Sequence, residues 1–348
     1  MTSSPSAPTQ MSREIAEQPD TLAATIESAS AVRGEVRRLA SDVDRLLLFG
    51  RGSSANAAVY GEFLCQAVAG RPASVGAPSA ATLYDAPLDL RGSLVVVLSQ
   101  SGRTQELVDV ADWARARGAR IVGVTNDAAS PLAAAVDVLM PVAAGTERAV
   151  PATKTYTAQL VALAVLVTTL WPSAEIESGL HDVPEQARAL LVATGVDAAV
   201  ELLAPATGLV LSGRGPTLTT ARELALKVQE TCRLPAVPLS SADLQHGPVA
   251  LLGPEVPLVV AAGGDRTVPG LVSVARTARA RGSPVLALGG DARLQRHADL
   301  ALPGPRLPAA LAPVVGVIAG QLVVEAMARR RGLDPDLPSG LTKVTQTA

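Results

Sequence analysis

The nine residues LSQSGRTQE (98–106) set two serine hydroxyls, a threonine hydroxyl and a side-chain amide directly behind an apolar run. Ser99, Gln100, Ser101 and Thr104, with the free backbone N–H groups of a following helix, suit a phosphate monoester. A turn with a helix cap uses the same residue types, so the stretch alone leaves both readings open. GRGSSAN (50–56) offers a second polar loop with Ser53 and Ser54. Chemistry on a bound molecule would need further groups. Glu223, Lys227 and Glu230 in ARELALKVQETC (221–232) share one stripe if the segment is helical, with Ala221, Leu224, Ala225 and Val228 on the apolar side. Glu before Lys at i,i+4 is also a common surface ladder, and taken alone that is the plainer reading. His246, in SSADLQHGPVALL (240–252), is one of three histidines; His181 and His297 lie in polar stretches and read as surface residues. Its imidazole would suit proton shuttling on a sugar, although His-Gly-Pro before an apolar run is an ordinary loop. Lys343 stands among small polar residues near the end of the sequence. By default it is an exposed tail lysine; in a crevice it could form an imine.

Elements must position these groups, and the sequence contains the same set of elements twice. LLLFGRGSSANAA (46–58) parallels GLVLSGRGPTLTTA (208–221), with Gly50 and Gly213 163 residues apart. Arg103-Thr104 and Arg266-Thr267 keep that spacing, while ARARG at 114–118 and 278–282 and the pair Asp137/Asp299 hold it within one residue. Landmarks in one order at one spacing indicate a duplicated unit. Strands are expected at Leu46–Phe49, Leu94–Leu98 and Ile121–Val124, and again at Leu209–Leu211, Leu258–Ala261 and Val285–Leu288. Their continuous Val/Leu character indicates a parallel sheet covered on both faces. Strand–helix alternation then gives two doubly wound three-layer α/β/α units. Expected boundaries are an arm and helix at 1–36, a first unit at 37–172, a connector at 173–197, a second unit at 198–330 and a tail at 331–348. The repeat also decides between readings of the serine loop. Its counterpart is AAGGDRT (261–267), where an aspartate would repel phosphate, so the fold does not require the serines. One phosphate cradle of this kind is expected per chain, in the first unit.

Composition narrows the partners. Over 348 residues, 30 Lys+Arg against 32 Asp+Glu leave a formal net charge of −2, and aromatics are 2%, none beyond Trp171. A nucleic-acid surface built on stacking is not expected. Cys65 and Cys232 are far apart and lack neighbours at metal spacing, which suggests reduced thiols in a cytoplasmic protein with no metal site. The opening MTSSPSAPTQMS lacks a basic start and an apolar core and reads as a floppy arm rather than a signal peptide. Leu307 to Val324 runs 18 residues without a charge, but its prolines, glycines and Gln321 fit a buried helix better than a membrane span.

With these motifs in order, the chain resembles a double sugar-isomerase (SIS) domain protein. The likeness is specifically to the isomerase half of glutamine–fructose-6-phosphate aminotransferase and to stand-alone glucosamine-6-phosphate deaminases of that type. SREIAEQP (12–19), GRGSSANA, LSQSGRTQE, AGTERAVPATKTYTAQL (144–160), ELALKVQETC, ADLQHGPVALL and LTKVTQ carry it. The resemblance implies that Ser99, Gln100, Ser101 and Thr104 hold the sugar phosphate, with Ser53, Ser54 and the Val150 backbone along the sugar. It makes Glu230 the base between C1 and C2, His246 an aid to ring opening, Lys343 the amine at the carbonyl carbon, and Glu223 and Lys227 their support. It also implies a homodimer whose active site is shared across the interface, with His246 acting on the neighbour. Asp243, where relatives often carry Glu, and Arg51, Pro151 and Cys232 depart from the usual pattern. SREIAEQP stands close to the start of the sequence, so a glutaminase domain is not expected ahead of it. The expected substrate is a phosphorylated amino sugar or ketose phosphate, with no cofactor. The first expectation is a glutamine-independent glucosamine-6-phosphate deaminase/isomerase. Alternatives are a deglycase of fructosyl-amino-acid 6-phosphates and a non-catalytic phosphosugar sensor.

Overall fold

A computed structural model of the chain describes residues 7–192, 194–264 and 266–343. Residues at the extreme ends of the sequence, and Asp265 of the second-unit loop, lie outside the described residues. Ten strands form two five-stranded parallel sheets. The first comprises β1 (Arg45–Phe49), β2 (Ala73–Val75), β3 (Ser93–Leu98), β4 (Arg120–Thr125) and β5 (Val138–Pro141), in the order β2-β1-β3-β4-β5. The second comprises β6 (Leu209–Gly213), β7 (Ala236–Ser240), β8 (Leu258–Ala262), β9 (Val285–Gly289) and β10 (Leu300–Leu302), in the order β10-β9-β8-β6-β7. Read from the opposite edge, that is the same doubly wound topology. The chain is thus two tandem α/β units, as the repeat implies.

Matching residues do matching work in the two copies. Asp137 accepts the N–H of Ile121 at 2.7 Å, at the start of β4, and Asp299 accepts that of Val285 at 2.8 Å, at the start of β9. Gly50 and Gly213 end β1 and β6 where the next helix turns back on the strand. A Cβ would lie 2.6 Å from the Ser54 backbone in the first case and 2.3 Å from that of Thr217 in the second, so neither site admits a side chain.

The central strands are wholly buried: all six residues of β3 and all five of β6, β8 and β9. The six expected strands are therefore present. The four not expected, β2, β5, β7 and β10, are the sheet edges. They are short and only partly covered, so their sequences lack the long apolar run.

The helices following β1 and β6, Ser53–Ala67 and Thr217–Lys227, pack against each other and join the units. Thr219, 163 residues from Asn56, donates its hydroxyl to the Asn56 carbonyl at 2.6 Å. The near-wholly buried helix Lys154–Leu170 packs against Ser53–Ala67 on one side and the N-terminal helix Gln18–Ala31 on another. One apolar core consequently runs through both units, with smaller clusters on the outer faces of each sheet. The long uncharged stretch becomes helices Ala312–Gly316 and Ile318–Arg330, whose apolar residues lie inside this core. The stretch expected to connect the units is itself largely helical, at Ala174–Leu191.

Candidate active site

In a doubly wound sheet the crevice opens where neighbouring strands send their connections to opposite faces. In the first unit that place lies between β1 and β3, and a crevice of about 380 Å³ sits there. Ser53, Ser54, Ser99, Gln100, Ser101, Thr104 and Val150 line it from the first unit, and Lys227, Glu230 and Lys343 from elsewhere in the chain. The helices Ser53–Ala67 and Gln105–Ala116 both begin at this crevice, and neither has a side-chain cap. The partial positive charge of these helix starts favours an anion. Thr104 occupies the N-cap position of the second helix without capping it. Ser99 and Ser101 also hold the turn together, accepting the N–H of Gly102 and of Arg103 at 3.1 and 3.2 Å. Cap-like turn and anion cradle are thus compatible in one loop.

The opposite wall is built by the second unit. Glu223 is fully buried, accepting Ser53 Oγ at 2.8 Å and Asn56 Nδ2 at 2.9 Å. Lys227, 1% exposed, lies 3.5 Å from Glu223 and 2.6 Å from Glu230. Such burial rules out the solvated ladder. Burial raises the Glu223 carboxyl above its ordinary value despite Lys227 beside it. Burial by itself would lower the Lys227 ammonium, but the carboxylates of Glu223 and Glu230 overcome that and raise it. Lys227 therefore remains a cation holding Glu230 at the crevice.

The sequence reading of one continuous helix needs a correction here. The α-helix ends at Lys227 and widens to a π-turn over Val228–Cys232. Within this segment Glu230 contacts Lys227 at 2.6 Å, while Thr231 and Cys232 stay buried. π-turns within helices are frequent at functional sites. Arg233, left-handed at φ 51, terminates the segment.

The tail supplies Lys343, whose Nζ lies 2.7 Å from Glu147 Oε2 and 2.7 Å from the Ala149 carbonyl. Glu147 belongs to the 144–160 motif but was not singled out from sequence; its glutamate among small residues gave no spacing signal. It also accepts the N–H groups of Thr153 and Thr155 and the Thr155 hydroxyl. Burial would raise its carboxyl, but Lys343 holds it below the ordinary carboxylate range. Val150 lines the crevice, although its N–H is already donated to the Asp336 carbonyl at 2.8 Å. Ser54 accepts Gln159 Nε2 at 3.0 Å, which fixes it on the crevice floor.

His246 is the exception. It follows the short helix Ser241–Gln245, is exposed, and does not line the crevice of its own chain. Ser240 caps that helix, its hydroxyl accepting the Asp243 N–H at 3.1 Å and donating to the Asp243 carboxylate at 2.7 Å. Arg51, on the crevice rim, is held by Glu106 through Nε at 2.8 Å.

Comparison with known proteins agrees with this architecture. The SIS domain model matches residues 40–169 and 202–329. Glutamine–fructose-6-phosphate aminotransferase (isomerizing) of Pyrococcus horikoshii is 32% identical over 340 residues, spanning 96% of this chain and 57% of that protein. The enzyme of the same name from Gloeobacter violaceus is 34% identical over 362 residues, spanning 96% and 58%. The chain thus covers under two thirds of those relatives. Among solved structures, the C-terminal domain of glucosamine-fructose-6-phosphate aminotransferase from Francisella tularensis has a TM-score of 0.83 at 26% identity, over 96% of this chain and 99% of that one. Tagatose-6-phosphate ketose/aldose isomerase from Escherichia coli shares the fold at TM-score 0.83 and 21% identity, over 99% of this chain and 100% of that one. Two matched domains, two sheets of one topology and one crevice built between them lead to one conclusion: the chain belongs to the SIS domain family and carries two copies of that domain.

Proposed function

We propose that the chain is a phosphosugar deaminase/isomerase that converts glucosamine 6-phosphate and water to fructose 6-phosphate and ammonia. The observation that supports it is one crevice with an anion cradle on one wall and the Lys227–Glu230 pair on the other. The phosphate docks at the two uncapped helix starts and the hydroxyls of Ser99, Ser101 and Thr104. The open-chain sugar then extends toward Glu230. Glu230 removes the C2 proton, giving an enaminol, and returns a proton to C1, leaving an imine at C2. Water adds to that imine and ammonia departs, so atoms balance with no oxidation. Lys227 orients Glu230 from 2.6 Å, and Lys343 would be the amine that engages the carbonyl carbon. The two cysteines give no support to glutamine as amine source. Both are buried, and burial pushes the Cys65 thiol up to about 12, so it is not a thiolate nucleophile.

His246 fits this reading only if it serves another copy, which makes a homodimer with shared sites part of the proposal. Release of ammonia from glucosamine 6-phosphate, lost in Glu230→Gln, is the test; none above blank at millimolar substrate removes the reading. A second reading of the same crevice is deglycation of a fructosyl-amino-acid 6-phosphate, whose leaving-group carboxylate would reach Arg51 on the rim by replacing Glu106 there. Amine release from such a compound with none from glucosamine 6-phosphate would replace the first reading. Tight phosphosugar binding without any turnover would instead make the chain a sensor.

A further inference from the structure

The duplicated fold contains a second switch-point crevice, and the chemistry above does not use it. β6 and β8 are neighbours in the second sheet as β1 and β3 are in the first. Beyond their carboxyl ends lies a crevice of about 500 Å³ lined by Arg214, Ser241, Gln245, Arg266, Thr267 and two small residues. Arg214 follows β6 as Arg51 follows β1, and Arg266 follows β8 as Arg103 follows β3.

Charge separates the two crevices. In the first unit Arg51 is paired with Glu106 and Arg103 with Asp127. At 163 residues from Glu106 stands Pro269, and neither Arg214 nor Arg266 has an ion pair with a described residue. None of the described lining residues is acidic. Asp265, of the same loop but outside the described residues, would still leave two guanidiniums against one carboxylate. Polar donors complete the wall. Ser241 is 1% exposed, and its hydroxyl makes no hydrogen bond to a described residue. Gly270 preserves the space beside it, since a Cβ there would lie 3.2 Å from Ser241 Oγ.

We propose that this crevice is a second anion site, taking a phosphate monoester of metabolite size for binding rather than reaction. Two guanidiniums can donate paired hydrogen bonds to phosphate oxygens, and Ser241 and Gln245 supply neutral donors beside them. Among the described residues the lining holds no carboxylate, imidazole or amine to act as base or nucleophile. Recognition is therefore by charge, unlike the neutral hydroxyl cradle of the first unit, and it weakens with salt because both arginines are exposed. The site adjoins the start of the helix that ends at Lys227. It does not depend on which reaction the first crevice performs.

Isothermal titration of the full chain with glucose 6-phosphate is expected to give two sites per chain. Arg214→Met combined with Arg266→Met should weaken one site by about tenfold or more per arginine and leave the other unchanged. Gly270→Val, which fills the space beside Ser241 with the arginines intact, should remove the same site. Unaltered thermal melting of the unliganded variants verifies that they are folded. Fewer than two sites in the parent chain, or two sites persisting in the folded arginine variant, overturns the proposal. Ammonia release reports the first crevice separately, so a failed deaminase reading leaves the two-site stoichiometry untouched.

Discussion

A carboxylate that removes a carbon-bound proton must be ionised, aimed and partly shielded from water. Glu230 is aimed by Lys227, 2.6 Å away, and shielded, with only 23% of its side chain exposed. Glu230→Gln keeps shape and hydrogen bonding but removes the base, so kcat should fall by about 10²- to 10⁴-fold with little change in KM. Steady-state ammonia release measures it. Lys343 is held by a different carboxylate, and its pairing has a pH signature. The folded-state carboxyl of Glu147 is below its ordinary value of 4.5, so its contribution is complete above that value and is lost as pH falls through the lower folded one. Glu147→Gln should cost about 2 kcal/mol at pH 7, less than a fully buried pair because Lys343 keeps a quarter of its surface in solvent. Urea titrations at pH 7 and below 4 should show the difference from the parent shrinking in acid. Glu14 runs the opposite way: burial raises its carboxyl, so its ionised form opposes folding at neutral pH and protonation relieves that as pH falls.

Among the elements, the helix that changes from α to π carries the chemistry, and the tight turns after β1 and β6 place what faces it. Gly50→Ala and Gly213→Ala should each destabilise by about 1–3 kcal/mol, since the added Cβ meets backbone rather than a movable side chain. Chemical denaturation of the two variants checks it, and equal sensitivity at positions 163 residues apart would express the duplication in energy. Apolar runs made the six central strands legible, because strands covered on both faces need them. The edge strands were not legible: β2 and β10 have three residues each, too few to make a distinctive run. The Glu223–Lys227–Glu230 stripe was visible as spacing, but its burial and its π-turn were not. Both arise from packing of the second unit's helix on Ser53 and Asn56 of the first, contacts between residues some 170 apart in sequence that no local pattern encodes. Glu147 was missed for the same reason, since its partner lies 196 residues away.

At the scale of the whole molecule, one residue of the expected site stands away from the crevice. His246 and Leu251 stand exposed on the loop after β7, apart from the chain's own crevice. If that loop completes a neighbour's site, His246→Ala and Glu230→Gln chains, each nearly inactive, should regain activity when unfolded and refolded together. No recovery, with dimers verified by sedimentation, would place His246 outside catalysis. The first described helix and the segment at Asp336, by contrast, already meet. Asp336 accepts the N–H groups of Gln10 and Met11 at 2.8 and 2.7 Å and gives its own carbonyl to Val150. A short link could therefore join the segment at Gln10 to the segment at Asp336. A permuted gene that splices the tail to the N-terminal helix and reopens after exposed Val192 should yield the same two units in swapped order. Lys343 would then lie in an internal loop, and undiminished turnover would mean that this lysine needs its address in the crevice, not the freedom of a chain end.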